Sequence, residues 1–401
     1  MNHVIIGNGI AGIQAAETIR NLDPSASITL VAAESHPPYC RPMISLMLEG
    51  QMSSKMLAIR NPHFYEDLHL QAVSGKRVTD IDVDSRTVKI NDDRLISFDR
   101  LLIASGADPR PLKIPGHSLN NIFYMRTISH VEQMLMEIAS ARHALVLGGG
   151  LVGFKAAYSM MRRNIPVTML ISSEYPLSMQ VDDVAGRMIL DKLKSNGLTV
   201  RTGIDAVAFE GDGNVREAHL SDGSILPCDR VIVGKGVRPA VGFIPTDRIP
   251  VDLGVLVNTN LQTGIPGIYA AGDVAECTDR VRQRPWINAI WPEAVMQGRI
   301  AGMNMAGRPV SYPGSLGRNV IRIFDLNVMT AGIVNPENDG PYQTFSRIQP
   351  RIPVYRKFVL KDNRLVGFIL INRIETGGNL VSLIQRQLPL TDSDMGLLKT
   401  I

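Results

Sequence analysis

The chain has 401 residues, 45% hydrophobic and 20% charged, with a formal net charge of +4 at pH 7. That length exceeds one ordinary core, so two or three domains are expected, and the composition is that of a folded chain. The mild charge gives no reason to expect nucleic acid but suits an acidic protein partner, no apolar run approaches the roughly 18 residues of a membrane span, and the scattered Cys40, Cys228 and Cys277 argue against a dithiol centre, a zinc site or a disulfide framework.

Val4-Ile5-Ile6 reads as a buried parallel strand. It starts so early that no cleavable presequence is expected, and a cytoplasmic location follows. The strand runs into Gly7-x-Gly9-x-x-Gly12 and then a helix with Ala11, Ala15 and Ala16 on its inner face. Gly7 permits the tight turn, Gly9 lets backbone approach a pyrophosphate, and Gly12 lets helix and strand pack closely. A second strand, Ile28 to Val31, precedes Glu34, which stands 22 positions after Gly12, where an acid takes the ribose hydroxyls of an adenosine. Residues 71–100 carry short alternating stretches such as Thr87 to Ile90 and read as antiparallel strands. Leu101-Leu102-Ile103 then leads into the small-residue turn Ala104 to Ala107, and a proline-rich crossover follows, with a domain boundary near residue 112.

Ala144 to Arg162 repeats the opening: Gly148, Gly150 and Gly153 match Gly7, Gly9 and Gly12 at a constant offset of 141. Two such units imply two dinucleotide sites. The second ends at the strand Val231 to Val233 and the crossover Gly234-Lys235-Gly236-Val237-Arg238-Pro239. The chain returns through Gly267 to Asp273, a strand ending in Ala271-Gly272-Asp273, whose aspartate is placed for a polyol hydroxyl, and a helix begins at Trp291. From about Pro313 the pattern turns β-rich, with Val320 to Phe324, Tyr355 to Leu360 and Leu365 to Ile371, and a helical tail from about Leu380.

These motifs together, GNGIAG (7–12), YCRPMIS (39–45), ASGADPR (104–110), GGGLVG (148–153), GKGVRP (234–239) and AGD (271–273), resemble the two-dinucleotide flavoprotein reductases of the pyridine-nucleotide-disulfide oxidoreductase superfamily. Within it the chain is similar to rubredoxin and ferredoxin reductases and to the flavin half of assimilatory nitrite reductase, whose signature is the pattern PY-x-RP-x-x-S at Pro38 to Ser45. The resemblance implies an α/β protein with two Rossmann-like dinucleotide-binding domains and a small α+β interface domain. Residues 1–112 with 240–312 would bind FAD, residues 113–239 NAD(H) or NADP(H), and residues 313–401 would form the interface domain. Arg41, Pro42, Ala104, Gly106 and Arg110 would lie along the flavin and its pyrophosphate, Asp273 would hold the ribityl chain, and Gly236 would line the nucleotide crossover.

Three departures carry information. Leu46 stands where relatives keep a lysine, and Lys155 where most keep a glutamate, so the ion pair beside the flavin is lost and a cation stands on the opposite side. Lys155 would then stabilise reduced anionic flavin. The third lies after the strand Val167 to Leu170, where relatives that bind NAD carry an acid and this chain has Ile171. Glu174 would serve the ribose instead, and the absence of an arginine cluster in that loop favours NAD over NADP.

The expected reaction is hydride exchange between a nicotinamide and FAD, with single electrons passing to a rubredoxin, a ferredoxin or an iron–sulfur subunit. Arg280, Arg282 and Arg284, with Arg318 and Arg322, form a candidate docking patch for an acidic carrier. The chain would be a homodimer or part of a hetero-oligomer, such as the flavin subunit of a tungsten-containing aldehyde oxidoreductase. Two alternatives stand beside this. One is a thiol-dependent NADH oxidase or disulfide reductase using Cys40; the other is a structural flavoprotein subunit with a dead nicotinamide site. No metal site is expected, since the histidines show no HExxH spacing.

Overall fold

The structure is a computed structural model and describes every residue except 338–339, 350–351, 392–393, 395–397 and 399–401. It divides into two units, Met1–Met43 with Ser53–Asp108 and Val237–Leu316, and Ile44–Met52 with Pro109–Gly236 and Gly317–Ile401.

The core of the first unit is a five-stranded sheet in the order Ile268–Ala270, Arg100–Ile103, Asn2–Ile6, Ser27–Ala32, Gln71–Ser74, parallel throughout. Gln71–Ser74 differs from the antiparallel assignment of residues 71–100: it is a parallel edge strand, and antiparallel pairing starts at Val78–Asp82. Edge exposure explains the polar pattern that disguised it, because Gln71, Ala72 and Ser74 lie open to solvent. The helices Ile10–Leu22 and Trp291–Met305 pack against each other through small residues. A Cβ built on Gly298 would stand 2.2 Å from the Ala11 carbonyl oxygen, and one on Gly302 would stand 2.8 Å from that of Ala15. Glycine at these positions sets how closely the two backbones approach.

His3, 1% exposed in the central strand, has its Nδ1 buried without a hydrogen-bond partner among the described residues. Burial, then the amino terminus and Arg100, lower its pKa to about 4 against the opposing pull of Asp23 and Asp99. Between about pH 6.5 and 4 the unfolded chain therefore binds the proton that the folded chain refuses, and stability falls as pH falls through that window. His3→Gln should flatten this part of the stability–pH curve measured by chemical denaturation; an unchanged slope would refute it.

The second unit repeats the order of four strands, but its fifth, at the edge beside Arg230–Val233, comes first in the chain rather than last. Its parallel sheet runs Thr199–Thr202, Val167–Ile171, Ala144–Leu147, Arg230–Val233, Ile122–Tyr124. A separate antiparallel sheet of five strands lies C-terminal to it: Arg318–Ile323, Leu326–Gly332, Arg364–Ile371, Val354–Lys361 and Tyr342–Gln349. The helix Gly377–Arg386 follows, starting ahead of the expected Leu380. The architecture is thus α/β, with two Rossmann-like sheets and an antiparallel C-terminal sheet domain.

The C-terminal sheet is tied to the nucleotide fold within this unit. Phe324, at a hairpin turn with φ +55°, packs edge-on against Tyr158 at 5.5 Å and Phe154 at 6.5 Å. Asp182, the N-cap of the helix Asp183–Ser195, accepts from the Ala185 amide at 3.0 Å and the Tyr355 hydroxyl at 2.6 Å, and pairs with Lys357 at 3.0 Å. Asn335 donates its side-chain amide to the Val181 carbonyl at 2.9 Å.

Candidate dinucleotide sites

The two glycine motifs have nearly the same backbone. Gly7 has φ +110° and Gly148 φ +103°, a region that glycine alone enters readily. Each leaves its strand beneath the neighbouring crossover: a Cβ on Gly7 would meet the Ala104 carbonyl oxygen at 2.2 Å, and one on Gly148 that of Gly234 at 2.5 Å. A Cβ on Gly12 would stand 1.9 Å from the Gly7 oxygen, and one on Gly153 1.9 Å from the Gly148 oxygen. Gly9 and Gly150 differ from all of these, since a Cβ there meets nothing within 4 Å. Both are the N-caps of their helices, whose first-turn amides have no intrahelical acceptor. That arrangement suits an anion.

In the first unit the acids and one cation form a single electrostatic group. Glu34 accepts from the Tyr39 hydroxyl at 2.7 Å and pairs with Arg41 at 2.8 Å. The Arg41 guanidinium stacks over the Tyr39 ring, 4.9 Å from its centroid. Burial works to lower the Arg41 pKa, but Tyr39, Glu34 and Asp273 outweigh it and the net shift is upward. Asp273 is thus within electrostatic reach of Arg41, half-buried on the turn after Gly272, which has φ +83°. Gly106, φ +72°, accepts from the Ala240 amide at 3.0 Å, and Ser105 donates to the Ala240 carbonyl at 2.9 Å, which fixes the turn around Ala104. Gly7, Gly9, Gly12, Glu34, Arg41, Ala104, Gly106, Gly272 and Asp273 all belong to this unit. The residue types suit a dinucleotide: helix N-terminal amides for phosphate, a guanidinium, and the carboxylates of Glu34 and Asp273 for hydroxyls. Pro42 is exposed in the short turn Arg41–Met43.

Arg110 belongs to the second unit, where it is exposed and its amide donates to the Gly236 carbonyl at 3.0 Å. Gly236 has φ +86°. Ile171 is buried and covers Gly149, whose added Cβ would lie 2.7 Å from its Cγ2. An acid there would be driven into the core, whereas Glu174 is exposed at the end of the same strand. Lys155 is half-buried. Burial raises the pKa of the Glu49 carboxyl, and the charges of Arg162 and Lys155 pull it back. Glu49 follows the helix Ile44–Leu48, which packs on the helix of Lys155 through Ser159 and Arg163. No sequence signal marked Glu49, because its facing cation lies more than a hundred residues on.

None of the cysteines is in a disulfide. Cys40 is half-buried, with its amide donated to the Leu57 carbonyl at 2.8 Å. Burial pushes the thiol of Cys277 up to about 11 and that of Cys228 to about 12, so both stay protonated at neutral pH. Among the described residues no helix is long and apolar enough to cross a membrane.

Two matched nucleotide folds, each with an open glycine under a helix N-terminus, define a protein built to hold two dinucleotides. Residues 1–298 match the model described as pyridine nucleotide-disulphide oxidoreductase, and residues 318–388 that of the rubredoxin NAD+ reductase C-terminal domain. The chain belongs to the pyridine nucleotide-disulphide oxidoreductase family, which uses FAD and NAD(H). It is 28% identical over 392 residues to the nitrite reductase [NAD(P)H] of Bacillus subtilis, covering 97% of this chain and 48% of that protein. The chain therefore spans about half the length of that relative. It is also 28% identical to the NADH-dependent phenylglyoxylate dehydrogenase subunit epsilon of Aromatoleum evansii, covering 97% of this chain and 92% of that one. The crystal structure of a covalent putidaredoxin reductase–putidaredoxin complex superposes with a TM-score of 0.90 at 26% identity, covering 99% of this chain and 95% of that one.

Proposed function

We propose that this protein moves electrons between NAD(H) and a protein carrier of the rubredoxin, ferredoxin or iron–sulfur type. The observation that carries the reading is the pair of open glycines, Gly9 and Gly150, under two helices of matched geometry. FAD would be held in the first unit by the Gly7–Gly12 turn, Glu34, Arg41 and Asp273, and NAD(H) in the second by the Gly148–Gly153 turn and Glu174. Bound FAD supplies the chemistry that accepts a hydride and gives up electrons one at a time. The chain's residues bind and orient both cofactors, and no acid–base group is required of them. Lys155 is proposed as the cation that favours reduced flavin, with Glu49 and Arg162 setting its surroundings.

The test is anaerobic titration of the yellow protein with NADH and with NADPH. NADH should bleach the flavin absorbance at near-stoichiometric amounts, with NADPH far weaker. A flavin bleached by neither nucleotide would overturn the reading. Membership of a larger assembly is supported by the Aromatoleum relative, a dehydrogenase subunit of nearly the same length. An aldehyde oxidoreductase complex is one such setting, and co-purification at fixed stoichiometry would test it.

The basic loop is more constrained than its charge suggests. Arg282 pairs with the fully buried Asp279 at 3.3 Å, and both Arg282 and Arg284 stack on Trp286, at 4.9 and 5.3 Å from the ring centroid. Arg280 donates to the Gly314 carbonyl at 3.0 Å. Arg284 is therefore the exposed cation that can be reversed without stranding a buried acid. Arg284→Glu should slow reduction of an acidic carrier several-fold at low salt and leave ferricyanide reduction unchanged; equal slowing of both would rule out docking here.

A further inference from the structure

A buried polar relay lies behind the Gly272–Asp273 turn. Gln297 is 3% exposed in the middle of the helix Trp291–Met305. Its side-chain oxygen accepts the Gly272 amide at 2.7 Å. Its side-chain nitrogen donates to the Tyr312 hydroxyl at 3.3 Å and approaches the Cys277 sulfur at 3.4 Å. The Tyr312 hydroxyl in turn donates to the Glu293 carboxylate, and Tyr312 and Glu293 are 3% and 2% exposed.

The polarity of this chain follows from its far end. A carboxylate can only accept. Glu293 therefore accepts the hydrogen bond of the Tyr312 hydroxyl, which leaves that oxygen to accept from the Gln297 amide nitrogen. Gln297 must then turn its oxygen, not its nitrogen, toward Gly272. Burial, then the charge of Glu293, raise the Tyr312 pKa, so the hydroxyl keeps its proton. The turn is also closed by the Ala275 amide, which donates to the Gly272 carbonyl at 2.9 Å, so the Gln297 bond adds a second tie at the same residue. Gly272 sits at φ +83°, and a Cβ there would stand 3.1 Å from that of Ala11 in the helix of the first glycine motif.

We propose that Gln297 is a positioning residue for bound FAD: it fixes Asp273 through the Gly272 amide, with its orientation imposed by Tyr312 and Glu293. The inference rests on the reading of the first unit as the FAD site. Neither Gln297, Tyr312 nor Glu293 need touch the cofactor. They hold the backbone from which Asp273 projects.

The test is FAD titration of apoprotein, read by quenching of flavin fluorescence, on the wild type, Gln297→Met, Tyr312→Phe and Glu293→Gln. Methionine keeps the volume and removes the acceptor, which orphans a buried amide and should raise the FAD Kd roughly 10-fold or more. Tyr312→Phe removes one oxygen and should raise the Kd by a smaller factor. Glu293→Gln leaves Tyr312 and Gln297 in place but lets the relay run either way, so it too should weaken FAD binding and shift the visible flavin spectrum. If all three variants bind FAD as the wild type does and lose only thermal stability, the relay is structural and the proposal fails. Should Gln297→Met not fold, the two milder variants decide the matter by the same criterion. A wild-type apoprotein that binds no FAD would instead sink the FAD reading itself, and this inference with it.

Discussion

Gly9→Ala is expected to give a folded protein that loses its yellow colour on purification, and Gly12→Ala a protein that fails to form the first sheet properly. The two glycines lie three residues apart in one motif, yet the structure gives them different tasks. A methyl at Gly9 meets nothing within 4 Å among the described residues, and φ −68° with ψ 175° is backbone that alanine adopts freely. The fold loses at most about 1 kcal/mol of cap preference. The methyl would stand where backbone must approach a phosphate, so FAD binding should weaken by about 2–3 kcal/mol, roughly 30- to 150-fold. A methyl at Gly12 stands 1.9 Å from the Gly7 oxygen, and either the helix or the turn must move, at about 3 kcal/mol or more. Melting of apoprotein, with and without FAD, separates the two. Gly150→Ala and Gly153→Ala should behave alike toward NADH, since their surroundings are the same. A yellow, fully stable Gly12→Ala protein would contradict the packing argument.

Asp182→Ala should destabilise the second unit on the order of 3–5 kcal/mol. The carboxylate is 7% exposed and serves the Ala185 amide, the Tyr355 hydroxyl and Lys357 at once. Its loss uncaps a helix, orphans a buried hydroxyl and strands a mostly buried ammonium. Lys357→Met should cost less, because the remaining hydrogen bonds still support the carboxylate. The double variant Asp182→Asn with Lys357→Met should be far less destabilised than Asp182→Ala, and a cycle with the single Asp182→Asn and Lys357→Met variants isolates the pair. Both tryptophans, Trp286 and Trp291, belong to the first unit. Their fluorescence should therefore report a nearly unchanged transition while circular dichroism shows an earlier one. An Asp182→Ala protein melting with wild-type circular dichroism would refute the coupling.

What could be read from the sequence was local. The glycine motifs could be read because strand, turn and helix are contiguous, and their duplication at an offset of 141 announced two folds of one kind. The position of Glu34 just past the second strand could be read because its distance from Gly12 is set by one helix and one strand. The relay from Glu293 to Gly272 was not legible: Gln297 and Tyr312 are common residues that gain meaning only when the helix Trp291–Met305 lies against the turn. The same holds for Arg282, which as a basic loop residue looked available to a partner and is committed to Asp279. Nothing in the apolar pattern of Ile44–Met52 indicated that it joins the second unit; that follows from its packing on the helix Leu151–Arg162.

The interleaving of the two units bears on how the chain matures on the ribosome. The sheet built on Ala144–Leu147 draws all its strands from residues 122–233, a single uninterrupted stretch. The sheet built on Asn2–Ile6 lacks an edge until Ile268–Ala270 has emerged. Although translated first, the amino-terminal strands must wait, exposed or chaperoned, while a later segment completes its own core, which reverses the usual amino-to-carboxyl order of domain folding. Truncation after residue 240 should thus release a nascent chain whose nucleotide fold of residues 122–233 resists protease and whose first hundred residues do not.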